Sequence, residues 1–467
     1  MSGPRVRFAP APTGYLHVGG AWLALYNWMF ARRNGGTLVL RFEDTDANRN
    51  TDDAIDVMIR GLHWLGIDYD EGPYRQSERA AAGRYRDVVE QLLLDGCAYY
   101  CDCTREAIDA RAGREGAPYD GYCRDRGLGP GSGRAVRFRT PDAGETVVHD
   151  VIRGDVRFAH DSIEDFVVVR SDGSPSFYVP NAVDDLDMGI TDVIRGEDLL
   201  SSTPRVLLIR EAMGGGAPPN YAHLPLLVDE KRRKLSKRNQ SVAVEDYREK
   251  GYLPEAMVNY LALLGWSPRD GLEIMPIEEM VAQFDLADVS PSHAFFDLQK
   301  LEHVNAEYIR ALPVSAFVQR ALPWLESTAA WPHDRFDVAK FELLAPHLQE
   351  RARTLSDVPD QIDFLFQEAP VIDAASWDKA MRPPAAAVLD DVINGYGNAV
   401  WDAGSLHELT REIGERHGLK LAKAQAPIRV AVTGRSVGPP LFESLQALGR
   451  DETRARLSRA RERVSER

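Results

Sequence analysis

Two short segments far apart in the chain carry residue types suited to holding phosphate. Ala11-Pro12-Thr13-Gly14-Tyr15-Leu16-His17-Val18-Gly19-Gly20 lies near the start, and Lys234-Leu235-Ser236-Lys237-Arg238 lies in the middle. In the first, glycines let a backbone come close to a ligand, and the N–H groups freed where a helix begins attract anions. His17 adds a side-chain donor at the same place. The second sets two lysines and an arginine around one serine, a flexible cationic arm for a polyphosphate. Neither of the two common glycine-rich phosphate-loop patterns is present. Taken singly, the first segment also reads as plain strand-to-helix packing and the second as a solvated basic loop.

The elements that must position these residues follow from apolar periodicity. Val6 to Ala9 is a strand, and the turn after it opens a helix carrying Trp22, Leu23, Leu25, Tyr26, Met29 and Phe30. Further alternation of strands (Leu38 to Phe42) with helical patterns (Ile55, Met58, Ile59, Leu62, Leu65) predicts an α/β doubly wound, Rossmann-like parallel sheet over 1–96, with ligands at the carboxyl ends of its strands. Residues 97–190 break that rhythm. They hold a cysteine cluster, a glycine-rich stretch (Gly127, Gly129, Gly131, Gly133), and strand-like runs at Ala135 to Arg139, Thr146 to Val151, Val156 to Ala159 and Phe166 to Arg170, as an insertion between two halves of one fold. The α/β pattern resumes over 191–240, with Val193-Ile194 as a strand and a helix from Pro204 to Met213. Helical periodicity then runs over 241–314, and an all-α region is expected over 315–467, including Leu343 to Leu355, Ala385 to Ile393 and Leu406 to His417. The charged tail after Asp451 reads as a frayed helix.

At 467 residues with 44% apolar composition, the chain has material for several cores. It lacks any apolar run of about 18 residues and any signal-like N-terminus, so a soluble cytoplasmic protein without membrane contact is expected. A net charge of −15 excludes nucleic-acid binding by bulk electrostatics but not recognition of a folded RNA through local basic patches. The four cysteines, Cys97, Cys101, Cys103 and Cys123, crowd one segment, which suits a local metal site better than disulfide staples. Reduced, unligated thiols are the other reading. Cys97 is expected to be a buried helix residue.

The two phosphate-holding segments together resemble the ATP-binding motifs of class I aminoacyl-tRNA synthetases, with His-Val-Gly-Gly and Lys-Leu-Ser-Lys-Arg as this chain's versions. Arg7-Phe8-Ala9-Pro10-Ala11-Pro12-Thr13-Gly14, Arg41-Phe42-Glu43-Asp44-Thr45-Asp46, Tyr74-Arg75-Gln76-Ser77-Glu78-Arg79, Val183-Asp184-Asp185, Thr191 to Asp198, Val289-Ser290 and Phe296-Asp297 narrow the likeness to bacterial glutamyl-tRNA synthetases. The resemblance is dense from residue 5 to about residue 310 and thinner beyond. It implies a Rossmann-like catalytic domain in two halves (1–96 and 191–240), an inserted connective domain for the tRNA acceptor end (97–190), a helical stem-contact domain (241–314) and an all-helical anticodon-binding region (315–467). It also implies the use of ATP, Mg2+ and L-glutamate to charge tRNA(Glu), with tRNA(Gln) left open, and a large asymmetric RNA ligand fits a monomer. Glutamyl-queuosine synthetases share the N-terminal part but end near residue 300. A repurposed or non-catalytic paralogue is a third reading.

By that resemblance, His17, Lys234 and Lys237 are catalytic. ATP lies on Pro12, Thr13, Gly14, His17, Gly19, Gly20, Lys234, Leu235, Ser236, Lys237 and Arg238. A lysine arm that meets charge mainly in the transition state implies that Lys237→Ala lowers turnover more than ATP affinity. An amino dicarboxylate calls for guanidinium forks on its carboxylates and a carboxylate on its ammonium. The resemblance assigns Arg7 and Arg195 to the former and Glu43 to the latter, with Asn181 beside them. Ala11 and Phe177 depart from the usual serine and tyrosine, so two hydroxyls are missing unless Tyr178 or a water compensates. Cys101-Asp102-Cys103 with Tyr119-Asp120-Gly121-Tyr122-Cys123 resembles the Cys-x-Cys…Tyr-x-x-x-Cys zinc site of glutamyl-queuosine synthetases and some glutamyl-tRNA synthetases. Cys101, Cys103, Tyr119 and Cys123 would then ligate zinc, with Asp125 or Tyr122 as other choices of fourth ligand. Arg351 and Arg353 are candidates to read tRNA bases or, more plainly, surface-helix charges.

Overall fold

Val6 and Phe8 alternate with Arg5 and Arg7 in the first strand, β1 (Arg5–Phe8), and Val6, Arg7 and Phe8 are all buried. A guanidinium inside a central strand must find acceptors there. The computed structural model describes residues 3–45, 52–235, 243–328 and 330–465. β1 pairs in parallel with β2 (Thr37–Phe42), and β2 with β3 (Glu71–Arg75). Parallel neighbours require a crossover. Here it is the helix Val18–Arg33, whose Tyr26 hydroxyl donates to Ala262 O (3.0 Å) and Leu264 O (2.8 Å).

Between the halves lie two small antiparallel arrangements. β4 (Ala98–Cys101), β5 (Ala135–Phe138) and β8 (Val167–Val169) form one sheet, and β6 (Glu145–Asp150) pairs with β7 (Gly154–Ala159). The nucleotide-type sheet resumes with β9 (Asp192–Gly196) and β10 (Asn220–Leu224), parallel and in register from Asn220 opposite Asp192 to Leu224 opposite Gly196. β9 runs beside β1, where Thr191 N–H donates to Arg5 O (2.9 Å) and Arg5 N–H to Thr191 Oγ1 (2.8 Å). The order β3-β2-β1-β9-β10 is that of a doubly wound sheet, with the switch point between β1 and β9. The insertion is not free-standing. β6 extends this sheet beyond β10, with Asp150 opposite Tyr221. Short strands β11 (Leu227–Val228) and β12 (Ala294–Phe295) pair in parallel.

These elements belong to one compact unit, Met1–Tyr247 with Pro254–Leu298; Arg248–Leu253 with Gln299–Arg467 forms another. Among its described residues the second unit has helices and no strand. Three of its helices begin where short acidic side chains take freed N–H groups: Asp337 accepts from Ala339, Asp373 from Ser376 and Asp402 from Ser405. No helix among the described residues is long and apolar enough to cross a membrane.

Four local expectations are corrected. Cys97 is half-buried in the bend between the helix Arg84–Leu94 and β4, not inside a helix. The helix expected at Leu343 to Leu355 is Val338–Gln349. Beyond it a separate turn starts at Thr354, whose N–H and side chain exchange hydrogen bonds with Asp357. Helical periodicity over 241–314 is interrupted, with residues 263–276 and 284–297 outside α-helix. The charged tail is a packed helix, Arg450–Ser465. Arg456 is buried there and donates to Phe364 O (2.8 Å), Val432 O (2.9 Å) and Gln367 O (2.9 Å). Tertiary acceptors fix a segment whose composition alone suggests solvation.

Candidate active site and metal centre

The glycine-rich corner is a helix N-terminus. Gly14 has φ +135°, a region open to glycine, and the chain then turns into Val18–Arg33 with His17 as N-cap. His17 Nδ1 accepts Gly19 N–H (3.1 Å), so in the neutral ring Nε2 carries the proton and is the donor side. A Cβ on Gly19 would meet only ordinary contacts, one of them Leu227 Cδ1 at 3.9 Å. Leu227 lies on that side of the corner, and the mid-chain arm is held to its strand: Leu235 N–H donates to Leu227 O (2.9 Å) and Lys234 bridges to Val228. On the far side of the arm, Ala243 bridges to His17 and Val244 N–H donates to Leu16 O (2.9 Å). One described end of the arm is thus anchored on β11 and the other beside His17. Lys234 is exposed and pairs with Asp198 (3.2 Å), and Leu235 is buried. Ser236, Lys237 and Arg238 lie outside the described residues. Pro12 is buried, while Ala11 and Thr13 are exposed.

The proposed glutamate residues gather at the carboxyl edge of the sheet. Arg7 comes from β1, Arg195 from β9, Glu43 from just past β2, and Asn181 from the helix Tyr178–Asp187, where Asp184 and Asp185 share its face at helical spacing. Arg7 Nε donates to Asp185 Oδ1 (3.3 Å) and its NH1 to Ile194 O (3.4 Å). Asn181 donates to Glu43 Oε1 (3.1 Å) and accepts from Arg195 NH1 (3.4 Å). Burial raises the Glu43 carboxyl pKa against the pull of Arg41 and Arg7. Burial opposes the charge on Arg41, but Asp185, Asp184 and Glu43 outweigh it and shift that group upward.

Phe177 precedes the same helix, edge-on to Tyr178 (5.9 Å). The Tyr178 ring packs on Phe166 (5.2 Å) under Arg205 (5.8 Å). The tyrosine ring against Arg195 is Tyr221, at 5.5 Å.

Sequence reasoning missed the residues that hold this array. Arg41, fully buried, reaches Asp185 (2.7 Å), with Asp184 and Glu43 each at 3.8 Å. His223 and Asp150, a buried pair at 2.6 Å, back Arg195. A basic residue two places before Glu43 in an apolar strand was the available signal for Arg41; nothing in the sequence marked His223 or Asp150.

The cysteines do converge. The sulfurs of Cys101, Cys103 and Cys123 lie within 4.8 Å of one another, Cys103 to Cys123 being 3.5 Å. Thiolates around tetrahedral zinc are about 3.8 Å apart, so the spacing fits that ion. Tyr119 hydroxyl lies 3.6 Å from Cys101 Sγ and accepts Cys123 N–H (2.8 Å). Asp125 is instead paired with Arg139, and the exposed Tyr122 ring lies between Arg111 (4.3 Å) and Arg126 (4.9 Å). Each sulfur also faces one guanidinium: Arg137 on Cys101 (3.3 Å), Arg111 on Cys103 (3.5 Å) and Arg126 on Cys123 (3.3 Å). Such a shell offsets thiolate charge. In the second unit Arg351 donates to Gly438 O (2.8 Å) and Arg353 lies near Glu302 (3.6 Å).

A doubly wound sheet split by an insertion, with a glycine-rich, histidine-capped helix start and an anchored lysine arm at its carboxyl edge, defines the class I synthetase architecture, and the comparisons agree. The family described as "tRNA synthetases class I (E and Q), catalytic domain" matches residues 4–303, and "Anticodon binding domain" matches residues 316–461. A glutamate–tRNA ligase of Frankia casuarinae is 56% identical over 464 residues, covering 99% of this chain and 98% of its own length. One of Thermobifida fusca is 54% identical, with 98% of each chain covered. The crystal structure of a glutamate tRNA ligase from Elizabethkingia meningosepticum in complex with its amino acid is 31% identical, with a TM-score of 0.87 and 99% of both chains covered. The chain belongs to the glutamate–tRNA ligase family of class I aminoacyl-tRNA synthetases.

Proposed function

We propose that this protein activates L-glutamate with ATP and transfers it to the 3′-terminal adenosine of tRNA(Glu). The observation that carries this reading is the juxtaposition, in one unit, of buried Arg7 and Arg195 with the His17 corner and the two ends of the lysine arm. A carboxylate oxygen of glutamate attacks the α-phosphorus of ATP. The new P–O bond forms as the bond to pyrophosphate breaks, and the adenosine hydroxyl then displaces AMP from the mixed anhydride. Positioning and charge stabilisation account for such catalysis. Arg7 and Arg195 hold the carboxylates and Glu43 the ammonium. His17 and the diglycine carry the ATP phosphates, and Lys234 with Lys237 meets the charge on leaving pyrophosphate, shared with Mg2+. Lys234 must leave Asp198 to do so, which its exposure allows.

Cys101, Cys103, Tyr119 and Cys123 are the proposed zinc ligands. The ion's role is to cross-link the loops around β4, since no substrate-binding residue belongs to that cluster. The five-part division of the chain drawn from its sequence remains the functional reading: 97–190 for the acceptor end, 241–314 for the stem and 315–467 for the anticodon. The match of residues 316–461 to an anticodon-binding domain supports tRNA charging over modification of a tRNA base. A monomer in the cytoplasm completes the proposal.

Pyrophosphate exchange with glutamate, glutamine and aspartate, each with and without tRNA, tests it. Exchange with glutamate in the presence of tRNA(Glu) is expected, and none with any amino acid would end the catalytic reading. A parallel titration with tRNA(Gln) determines whether a second tRNA is charged.

A further inference from the structure

Arg7 and Arg41 both lean on the carboxylate of Asp185, whereas Arg195 is held differently. Its Nε donates to His223 Nε2 (3.2 Å), its NH1 to Asn181 Oδ1 (3.4 Å), and its NH2 to Thr203 Oγ1 (2.8 Å) and Leu199 O (3.5 Å). All four acceptors are uncharged, and no carboxylate of a described residue makes an ion pair with Arg195. Asp150 stands behind His223. Its Oδ2 takes both His223 Nδ1 (2.6 Å) and His223 N–H (3.0 Å), while its Oδ1 takes the N–H groups of Ile152 (2.9 Å) and Arg153 (2.8 Å).

A carboxylate in that role only accepts, so the imidazole proton belongs on Nδ1 and the Nε2 lone pair faces Arg195. Strand register enforces the contact. Arg195 and His223 are directly opposite on β9 and β10, and Asp150 ends β6 opposite Tyr221. The His223 and Asp150 side chains are wholly buried.

We propose that His223, fixed in its Nδ1–H form by Asp150, is a positioning residue for substrate. It orients Arg195 through a neutral acceptor, leaving the guanidinium charge available to a glutamate carboxylate. A carboxylate placed directly on Arg195 would orient it equally well but neutralise it. The inference rests on the reading that Arg195 meets substrate.

The test is steady-state pyrophosphate exchange in the presence of tRNA(Glu) with His223→Leu, His223→Gln and Arg195→Gln. Gln offers the same pair as the neutral imidazole, an oxygen for Arg195 and an N–H for Asp150, whereas Leu offers neither. His223→Leu is expected to raise the KM for glutamate about tenfold, with the KM for ATP unmoved, and His223→Gln to stay within about threefold of the unaltered protein. Equal losses in Leu and Gln, a parallel rise in the KM for ATP, or an unchanged glutamate KM in Leu overturns the proposal. If Leu does not yield folded protein, Asn, one methylene too short to reach both partners, takes its place in the same contrast with Gln. Arg195→Gln separates the two levels. An unaffected glutamate KM there sinks the parent assignment, while a large rise there without one in His223→Leu sinks only the role of His223.

Discussion

Replacing Asp185 by Asn keeps the shape of the side chain and removes its charge. Asp185 accepts from Arg41 NH1 at 2.7 Å and Arg7 Nε at 3.3 Å, with all three side chains at most 5% exposed. Asp185 is the nearest carboxylate to both of these buried guanidiniums, with Asp184 and Glu43 each 3.8 Å from Arg41, so the variant leaves buried positive charge undercompensated. Breaking one side of a buried pair costs about 3–5 kcal/mol. At about 2–4 °C per kcal/mol for a domain-sized unit, the unfolding transition of the catalytic unit should fall by about 10 °C. A double-mutant cycle isolates the cause. Arg41→Met alone should also destabilise, and the Arg41→Met, Asp185→Asn pair should cost less than the sum of the singles by about 1.5 kcal/mol or more. Thermal unfolding followed by circular dichroism supplies the three differences. Losses that add within about 0.5 kcal/mol, or an unchanged transition in Asp185→Asn, refute the claim that these charges stabilise one another.

Two further outcomes are expected. Protein refolded with zinc should bind about one equivalent of the ion by elemental analysis, and Cys103→Ser should bind none while residues 97–134 become sensitive to protease; a metal-free but equally resistant unaltered protein rules out the site. Arg456→Met strips the donor from the carbonyls of Phe364, Val432 and Gln367, at roughly 1–3 kcal/mol for each group left unpaired, and should lower the unfolding midpoint of the second unit in urea. An unchanged midpoint would show that the last helix adds no stability.

Much of the architecture was legible because it is written locally. The turn into Val18–Arg33 needs only a glycine able to take positive φ and a side chain able to cap, and the strands around β1 and β9 need only apolar runs between breaks. Arg7, Glu43, Asn181 and Arg195 were assigned through resemblance, and the structure places them near one another. The sulfur trio followed from resemblance to a zinc motif, but the guanidinium facing each sulfur did not, because Arg111, Arg126 and Arg137 reach their thiols only after the loops fold. The last helix was misread because an arginine-rich segment looks solvated until its acceptors, as much as 92 residues away in the chain, are known.

The sequence by itself determined which groups are available: a glycine-rich helix start with a histidine cap, a lysine arm, arginines among apolar strands and a cluster of thiols. Tertiary structure alone decided how those groups are held in state and direction. Whether an arginine is neutralised by Asp185 or left charged beside His223 depends on strand register and on which acceptors are buried with it. Burial removes the water that would otherwise satisfy every partner equally, and that selection has no counterpart in a linear pattern.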